Sequence, residues 1–177
     1  NRFMKTADFW ATCSQEKLLF VQTDSLLKEP LPIYFFNYPY LGSAWIPRIK
    51  TDYFQTRSNQ GGIKGFFKID TPINITPDPD IYPHLHGNGG LSIRHRSLMQ
   101  AICQDHGQLS DEREMEDVFF SRHIQQYKEP PPLQIAQAFA FESSYHPSIG
   151  SHAAWKYLSS AELAEHLDQH LRHVWAM

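Results

Sequence analysis

Cysteine is nearly absent from this 177-residue chain, which carries only Cys13 and Cys103. Two such distant thiols exclude a disulfide framework and a thiolate zinc site, which need more sulfur at closer spacing. Both fall in segments that read as helices. Runs of one charge sign are missing too. Sixteen Lys and Arg against nineteen Asp and Glu leave a net charge of −3, and the basic residues are scattered. Without a basic stripe to displace counterions, nucleic acid is not the expected partner. No stretch approaches the roughly 20 apolar residues of a membrane span, and no signal-peptide pattern opens the chain. A soluble protein is expected, with the cytoplasm favoured over a secretory lumen. The sequon Asn74-Ile75-Thr76 is followed by Pro77 and is given little weight.

What the chain does hold is apolar and aromatic material. Hydrophobic residues make up 41% and aromatics 14%, enough for one globular domain with a dense core or stacking surfaces. Residues 7–14 read as a helix and 18–21 as a strand. Residues 33–41 are aromatic and β-prone, and 91–94 read as a strand followed by a helix over 96–105 with Gly107 as its stop. Asp111 and Glu114 fit a capping box opening a helix that runs to about residue 126. A short helix over 135–138 and a strand over 139–141 follow. Ser159 and Glu162 make a second capping box, opening a last helix that buries Leu163, Leu167, Leu171 and Trp175. Between them, residues 46–83 are punctuated by Gly and Pro and read as a long loop-rich insertion, of the kind that forms lids and binding elements.

Three polar stations stand beside apolar segments. Gln22-Thr23-Asp24-Ser25 closes the continuously apolar Leu18-Leu19-Phe20-Val21, which reads as a fully buried strand. An aspartate at the carboxyl end of such a strand lies where open α/β sheets bind ligands. Asp24 is therefore a candidate carboxylate ligand for manganese or magnesium, or else the cap of the following turn. Gln22 and Ser25 are able to hydrogen-bond a ribose or water, or are structural.

The second station, Gly87-Asn88-Gly89-Gly90, lets a backbone come close to something. It is not a dinucleotide fingerprint, which has different spacing and follows a strand rather than preceding one. Asn88, Gly89 and Gly90 are candidate contacts to a donor sugar, with a tight turn as the plain alternative. The third station, Glu116-Asp117, opens an amphipathic helix, where carboxylates also suit the helix dipole. Read chemically, Asp117 is the candidate general base, with Glu116 orienting substrate.

Histidines add a fourth clue. His152, in Gly150-Ser151-His152-Ala153-Ala154-Trp155-Lys156, is a candidate second metal ligand, and Lys156 a candidate partner for a diphosphate. His84 and His86 share one face of an extended segment. They support a zinc-hydrolase alternative that lacks a third ligand nearby. His166, His170 and His173 fall on the polar face of the last helix and read as solvated. A metal ligand, a close-approach loop and a base together point to hexosyl transfer from a nucleotide-diphosphate donor.

These stations also carry a resemblance. Phe9-Trp10, Leu19-Phe20-Val21-Gln22-Thr23-Asp24-Ser25, Leu41-Gly42-Ser43-Ala44-Trp45 and Gly87-Asn88-Gly89-Gly90-Leu91-Ser92-Ile93-Arg94 come first. Glu116-Asp117-Val118-Phe119-Phe120, Ala138-Phe139-Ala140-Phe141-Glu142 and Gly150-Ser151-His152-Ala153-Ala154-Trp155 follow in order. The chain resembles a family of uncharacterised glycosyltransferase-like domains related to the GT-A nucleotide-diphospho-sugar transferases, over about residues 9–155. The resemblance implies an α/β fold with a mixed sheet flanked by helices. It places Asp24 at the Asp-x-Asp position that holds manganese or magnesium, and implies a nucleotide-sugar donor and a carbohydrate or glycoconjugate acceptor.

Gln22 stands where that pattern has its first aspartate, and Ala44 where members usually carry proline. GT-A domains place nucleotide-binding strands and helices ahead of the Asp-x-Asp strand, whereas only a helix precedes it here. The expectation is a single GT-A-like domain that lacks part of that N-terminal half. It would be the C-terminal portion of a longer transferase, with Asn1 marking an internal cut or processed start. The rival expectation is a non-catalytic carbohydrate-binding or assembly subunit on a degenerate GT-A-like fold. Gln22 favours the rival; Asp117 and His152 favour the enzyme.

Overall fold

The alternation Leu91-Ser92-Ile93-Arg94 sets the architecture, because it gives one strand two different faces to cover. The computed structural model describes residues 2–43, 45, 52–54, 67–69, 87–107, 114–142 and 144–175. A 3-10 turn (Phe3–Lys5) leads into α1 (Ala7–Ala11), β1 (Lys17–Val21) and β2 (Ser25–Leu27). A second 3-10 turn (Ile33–Asn37) precedes β3 (Tyr40–Ser43), β4 (Asp52–Phe54), β5 (Phe67–Ile69) and β6 (Asn88–His95). Then come α2 (Arg96–His106) and α3 (Glu116–His123), which runs on into a 3-10 turn (Ile124–Gln126). The rest is α4 (Leu133–Phe139), β7 (Ala140–Phe141), β8 (Gly150–His152), a 3-10 turn (Ala154–Lys156) and α5 (Ser160–Trp175).

The described strands form two three-stranded sheets and one two-stranded sheet. The first sheet, in order β1-β6-β3, is antiparallel throughout. The second, β2-β8-β7, joins an antiparallel pair to a parallel one, and β4 pairs with β5. This is a mixed α/β arrangement of small sheets flanked by helices. Leu91 and Ile93 pack with Phe35, Leu41 and, from α4, Ala136 and Phe139. On the opposite face Trp10 of α1, Met99 and Ile102 of α2, and Phe119 and Phe120 of α3 form a second core with Tyr40. A third, smaller core of Phe141, Ala154 and Leu158 takes Leu163 of α5. Among the described residues no helix is long and apolar enough to cross a membrane.

Several sequence expectations are corrected. β1 is an edge strand with only one face covered: Leu18 and Phe20 turn inward while Lys17, Leu19 and Val21 are exposed. An unbroken apolar run cannot by itself distinguish a two-faced strand from this one. Residues 33–37 coil into a 3-10 turn after Pro32 instead of extending, and the strand begins only at Tyr40. The first helix stops at Ala11, so Cys13 lies beyond it. Gly107 does follow α2, but with helical backbone (φ −59°) rather than a left-handed stop.

The second capping box is present. Ser159 N–H donates to Glu162 Oε2 at 2.7 Å, and Glu162 N–H to Ser159 Oγ at 3.2 Å. The buried face of α5 is turned from its expected position. Leu167 is 45% exposed and His166 is buried, its Nε2 2.8 Å from Ser151 Oγ and its ring edge-on to Phe141. Residues 111–113 of the first capping box lie outside the described residues. So do His84, His86, most of 46–83, and the side chains of His170, Leu171, His173 and Trp175.

His123, at the end of α3, stacks on His106 with ring centroids 4.0 Å apart. Burial first, then the neighbouring His106 and Arg122 charges, lower its pKa from an ordinary 6.5 to about 4. Between those values the unfolded chain binds the proton and the folded one does not, so stability rises with pH there. Urea denaturation across this range is expected to show stability present above about 6.5 and falling as pH drops towards 4. His123→Gln should flatten that dependence.

Candidate functional site

Two glycines at the start of β6 bring the stations together. Gly42 pairs with Ser92 but Ser43 pairs with Asn88, so Gly89, Gly90 and Leu91 form a bulge opposite a single step of β3. Asn88 shapes it, its Oδ1 accepting the Gly90 N–H at 2.8 Å. Gly90 C=O in turn anchors the turn between β1 and β2, accepting Gln22 N–H at 2.8 Å and Ser25 Oγ–H at 2.9 Å. That turn presents Asp24.

His152, at the end of β8, and Lys156, in the 3-10 turn after it, reach the same aspartate. Asp24 C=O accepts the Ala153 N–H at 3.0 Å. Ala153 is buried in the left-handed conformation (φ 49°, ψ 28°), the only described non-glycine residue at positive φ. Such a backbone costs about 1–3 kcal/mol and persists only where its surroundings impose it. It turns the chain so that His152 Nε2 lies 3.3 Å from Asp24 Oδ1, and Lys156 Nζ 3.7 Å from Asp24 Oδ2. Gln22 Oε1 stands 3.2 Å from the same Nε2. On the other side of the imidazole, Nδ1 is 3.3 Å from the buried Glu142 Oε1. That approach lies off the hydrogen-bond direction, so the contact is one of proximity rather than a closed bond.

The glycines' missing side chains are needed by the protein's own groups. A Cβ at Gly90 would overlap the His152 ring, and one at Gly89 would overlap the Glu116 carboxylate and Arg94 guanidinium. The close approach that the glycines allow is made, at Gly90, by an imidazole of the fold itself.

Across the bulge from His152, α3 supplies the carboxylates. Glu116 is taken up by Arg94, with contacts of 2.5 and 2.9 Å to the two guanidinium ends. Arg94 is fully buried. Its Nε donates to Ser92 Oγ at 3.0 Å, and its Cζ lies 4.8 Å from the Phe20 ring, 5.2 Å from Tyr40, 5.4 Å from Phe120 and 5.9 Å from Trp10. Burial pulls its pKa down, but Glu116 and Tyr40 outweigh this and hold it above the ordinary value. Burial pushes the Tyr40 hydroxyl well up against the opposing Arg94 charge, and that hydroxyl donates to Gly87 C=O.

Asp117 accepts Gly89 N–H at Oδ2 (3.3 Å) and Val118 N–H at Oδ1 (2.9 Å). Desolvation, then the Glu116 charge, raises its pKa against those two hydrogen bonds. The structure thus brings Asp24, His152, Lys156, Asn88, Gly89, Gly90, Glu116 and Asp117 around one bulge. Sequence reading gave no function to Arg94, Glu142 or Ala153. A basic residue in an inward strand position, between aromatic segments, was the available signal for the first.

The donors around His152 Nε2 suit a small divalent cation. Neighbouring ligands on an octahedral cation with bonds near 2.1 Å stand about 3 Å apart, close to the separations of Nε2 from Asp24 Oδ1 and Gln22 Oε1. The carboxylate and the amide carbonyl are oxygen donors of the kind magnesium and manganese take, and the imidazole adds a nitrogen donor of the kind zinc and iron take more readily. The two carboxylates flank opposite nitrogens, and among the described residues no three His, Cys, Asp or Glu side chains form a metal-holding group. The third protein donor would therefore be Gln22.

A family described as "Protein of unknown function (DUF5672)" matches residues 1–153. The chain belongs to that family. No curated protein and no solved structure matches it. The matched span takes in every station up to His152 and ends before Lys156.

Removing one member of the buried pair strands the other. Glu116→Leu is expected to cost about 3–5 kcal/mol in chemical denaturation, because Arg94 keeps an uncompensated buried charge. Arg94→Met combined with Glu116→Leu should recover much of that loss. A double variant no more stable than the single one would show that the rings around Arg94, rather than Glu116, set its energetics.

Proposed function

We propose that the chain is a glycosyltransferase-like domain on a GT-A-like scaffold, moving a sugar from a nucleotide-diphosphate donor to a carbohydrate or glycoconjugate acceptor. The observation that supports this best is the meeting of cation-binding donors and a buried base on either side of two glycines. His152 lies against Gly90 with Asp24 and Gln22 at its Nε2, and Asp117 lies against Gly89.

A divalent cation held by Asp24, His152 and Gln22 would neutralise the leaving diphosphate as a Lewis acid. Lys156, half exposed beside Asp24, adds a positive charge able to pair with a phosphate oxygen. Asp117 is the better base of the adjacent carboxylates. Its raised pKa strengthens it as a proton acceptor once ionised, whereas Glu116 has both oxygens on Arg94. Asp117 must ionise to act, so turnover falls as pH drops through that raised value. A second reading, a non-catalytic saccharide-binding or assembly module, draws on Gln22 in place of a carboxylate and on the backbone N–H groups held by both Asp117 oxygens.

Calorimetric titration with uridine diphosphate and manganese tests the donor side. Asp24→Asn should abolish metal-dependent nucleotide binding with little change in melting temperature. A collapsed melting temperature with binding retained per folded molecule would make Asp24 a turn cap.

The acceptor side is read by nucleotide release over a panel of sugar donors. Asp117→Asn should leave donor affinity nearly intact and lower transfer by roughly 10²-fold or more. Unchanged turnover removes Asp117 from the mechanism. Nucleotide binding without transfer to any acceptor favours the second reading.

A further inference from the structure

We propose that Glu142 is a positioning residue that acts through His152, holding the imidazole by Nδ1 so that Nε2 faces Asp24 and Gln22. The proposal rests on the cation-binding part of the reading above. Four observations carry it. His152 and Glu142 are both more than nine-tenths buried, so neither is oriented by solvent. Glu142 Oε1 lies 3.3 Å from Nδ1, and this imidazole is the polar partner that the structure shows for the Glu142 side chain. Among the described residues Nδ1 closes no hydrogen bond, so its proton is left for the neighbouring Glu142 carboxylate. The ring lies directly over Gly90, in the space a Cβ would take, so the backbone bounds it on that side.

The chemistry follows from what each nitrogen faces. Nε2 faces two oxygen acceptors, Asp24 Oδ1 at 3.3 Å and Gln22 Oε1 at 3.2 Å. A neutral imidazole carries one proton and one lone pair. With a cation among those oxygens, the lone pair must be at Nε2 and the proton at Nδ1. An imidazole that ligates a metal characteristically donates its other N–H to a carboxylate, which fixes ring orientation and raises ligand basicity. Glu142 stands where that carboxylate belongs. It sits just past β7, the strand paired in parallel with β8, so the second sheet carries both the ligand and its support. A small rotation would bring Nδ1–H into line with Oε1, which a bound cation pulling on Nε2 would favour.

The test uses the whole chain with manganese as the probe. Titration of free manganese by electron paramagnetic resonance gives the affinity, and ¹⁴N couplings of the bound ion report imidazole ligation. Glu142→Gln keeps the shape but cannot accept Nδ1–H as a carboxylate does. It is expected to weaken manganese binding by about 10- to 100-fold without lowering the melting temperature. In a His152→Ala background, where the ¹⁴N coupling is gone, adding Glu142→Gln should change nothing further, since a residue acting through another has no effect without it.

An unchanged affinity in Glu142→Gln, or an effect that persists without His152, overturns the proposal while leaving the functional reading standing. If the wild-type chain binds no manganese, the cation-based reading falls, and imidazole ¹⁵N resonances of the metal-free protein still decide on Glu142. A proton on Nδ1 that is lost in Glu142→Gln supports the role, and a proton confined to Nε2 in the wild type overturns it. Glu142→Asp guards against misfolding: a shortened carboxylate should restore part of the affinity that the amide loses.

Discussion

The buried Arg94–Glu116 pair is the constraint on which most of the remaining structure depends. A guanidinium with no exposed surface has to be compensated on every side. The chain does this with one carboxylate, one serine hydroxyl and four aromatic rings from α1, β1, β3 and α3. Each of those elements is therefore tied to one point of β6. Because Glu116 is the first residue of α3, the pair also sets where that helix begins. Met115, its N-cap, makes no side-chain cap bond. The helix start is held instead by Glu116 on Arg94 and by Asp117 bridging to Gly89 and Val118.

Fixing the helix start fixes the site. Arg94 and Glu116 need the space a side chain at Gly89 would fill, and His152 needs that space at Gly90. The same two residues thus admit the pair on one side of the strand and the imidazole on the other. The Asp117 carboxylate is bonded to Gly89 and the His152 ring lies against the next residue, Gly90. The proposed reaction would have to keep Asp117, as its base, and His152, as a cation ligand, close together, and adjacent residues of one strand hold both. Ala153 contributes from the far side, its left-handed backbone being tolerated where it aims His152 and Lys156 at Asp24.

How much of this was legible in the sequence varies by element, for physical reasons. Local signals survived well. The Ser159–Glu162 capping box, α2 and its length, and the strand through Leu91–Arg94 depend on spacing within a few residues. The stations stood out as short polar motifs beside apolar segments, and although turn cap, tight turn and helix start are plain readings for Asp24, Gly89, Gly90 and Asp117, the fold gathers all of them with His152 around one bulge. What failed was whatever depends on the far side of a contact. β1 looked buried on both faces because its own sequence does not reveal that it is an edge. The α5 face was misjudged because a histidine reads as polar until Ser151 and Phe141 are seen to receive it. Residues 33–37 read as a strand because aromatics favour strands, yet they form a 3-10 turn with Pro32 at its N-cap, a position that suits proline because no N–H is needed there.

The same dependence explains why two adjacent carboxylates differ in character. Glu116 and Asp117 are neighbours on one helix turn, and sequence alone barely separates them. In the fold, Arg94 gives Glu116 a full counter-charge at hydrogen-bonding distance, which spends that carboxylate on structure. Asp117 receives only two backbone N–H groups, is desolvated, and feels the Glu116 charge beside it. Raising one carboxylate's pKa while compensating the other is how a site assigns a proton-accepting role within an otherwise ambiguous pair. The guanidinium that organises the fold therefore also makes the two unequal, since its charge goes first to Glu116. Any rearrangement that shifted Arg94 towards Asp117 would disturb the core and the candidate base together, so fold and candidate chemistry are coupled through a single side chain.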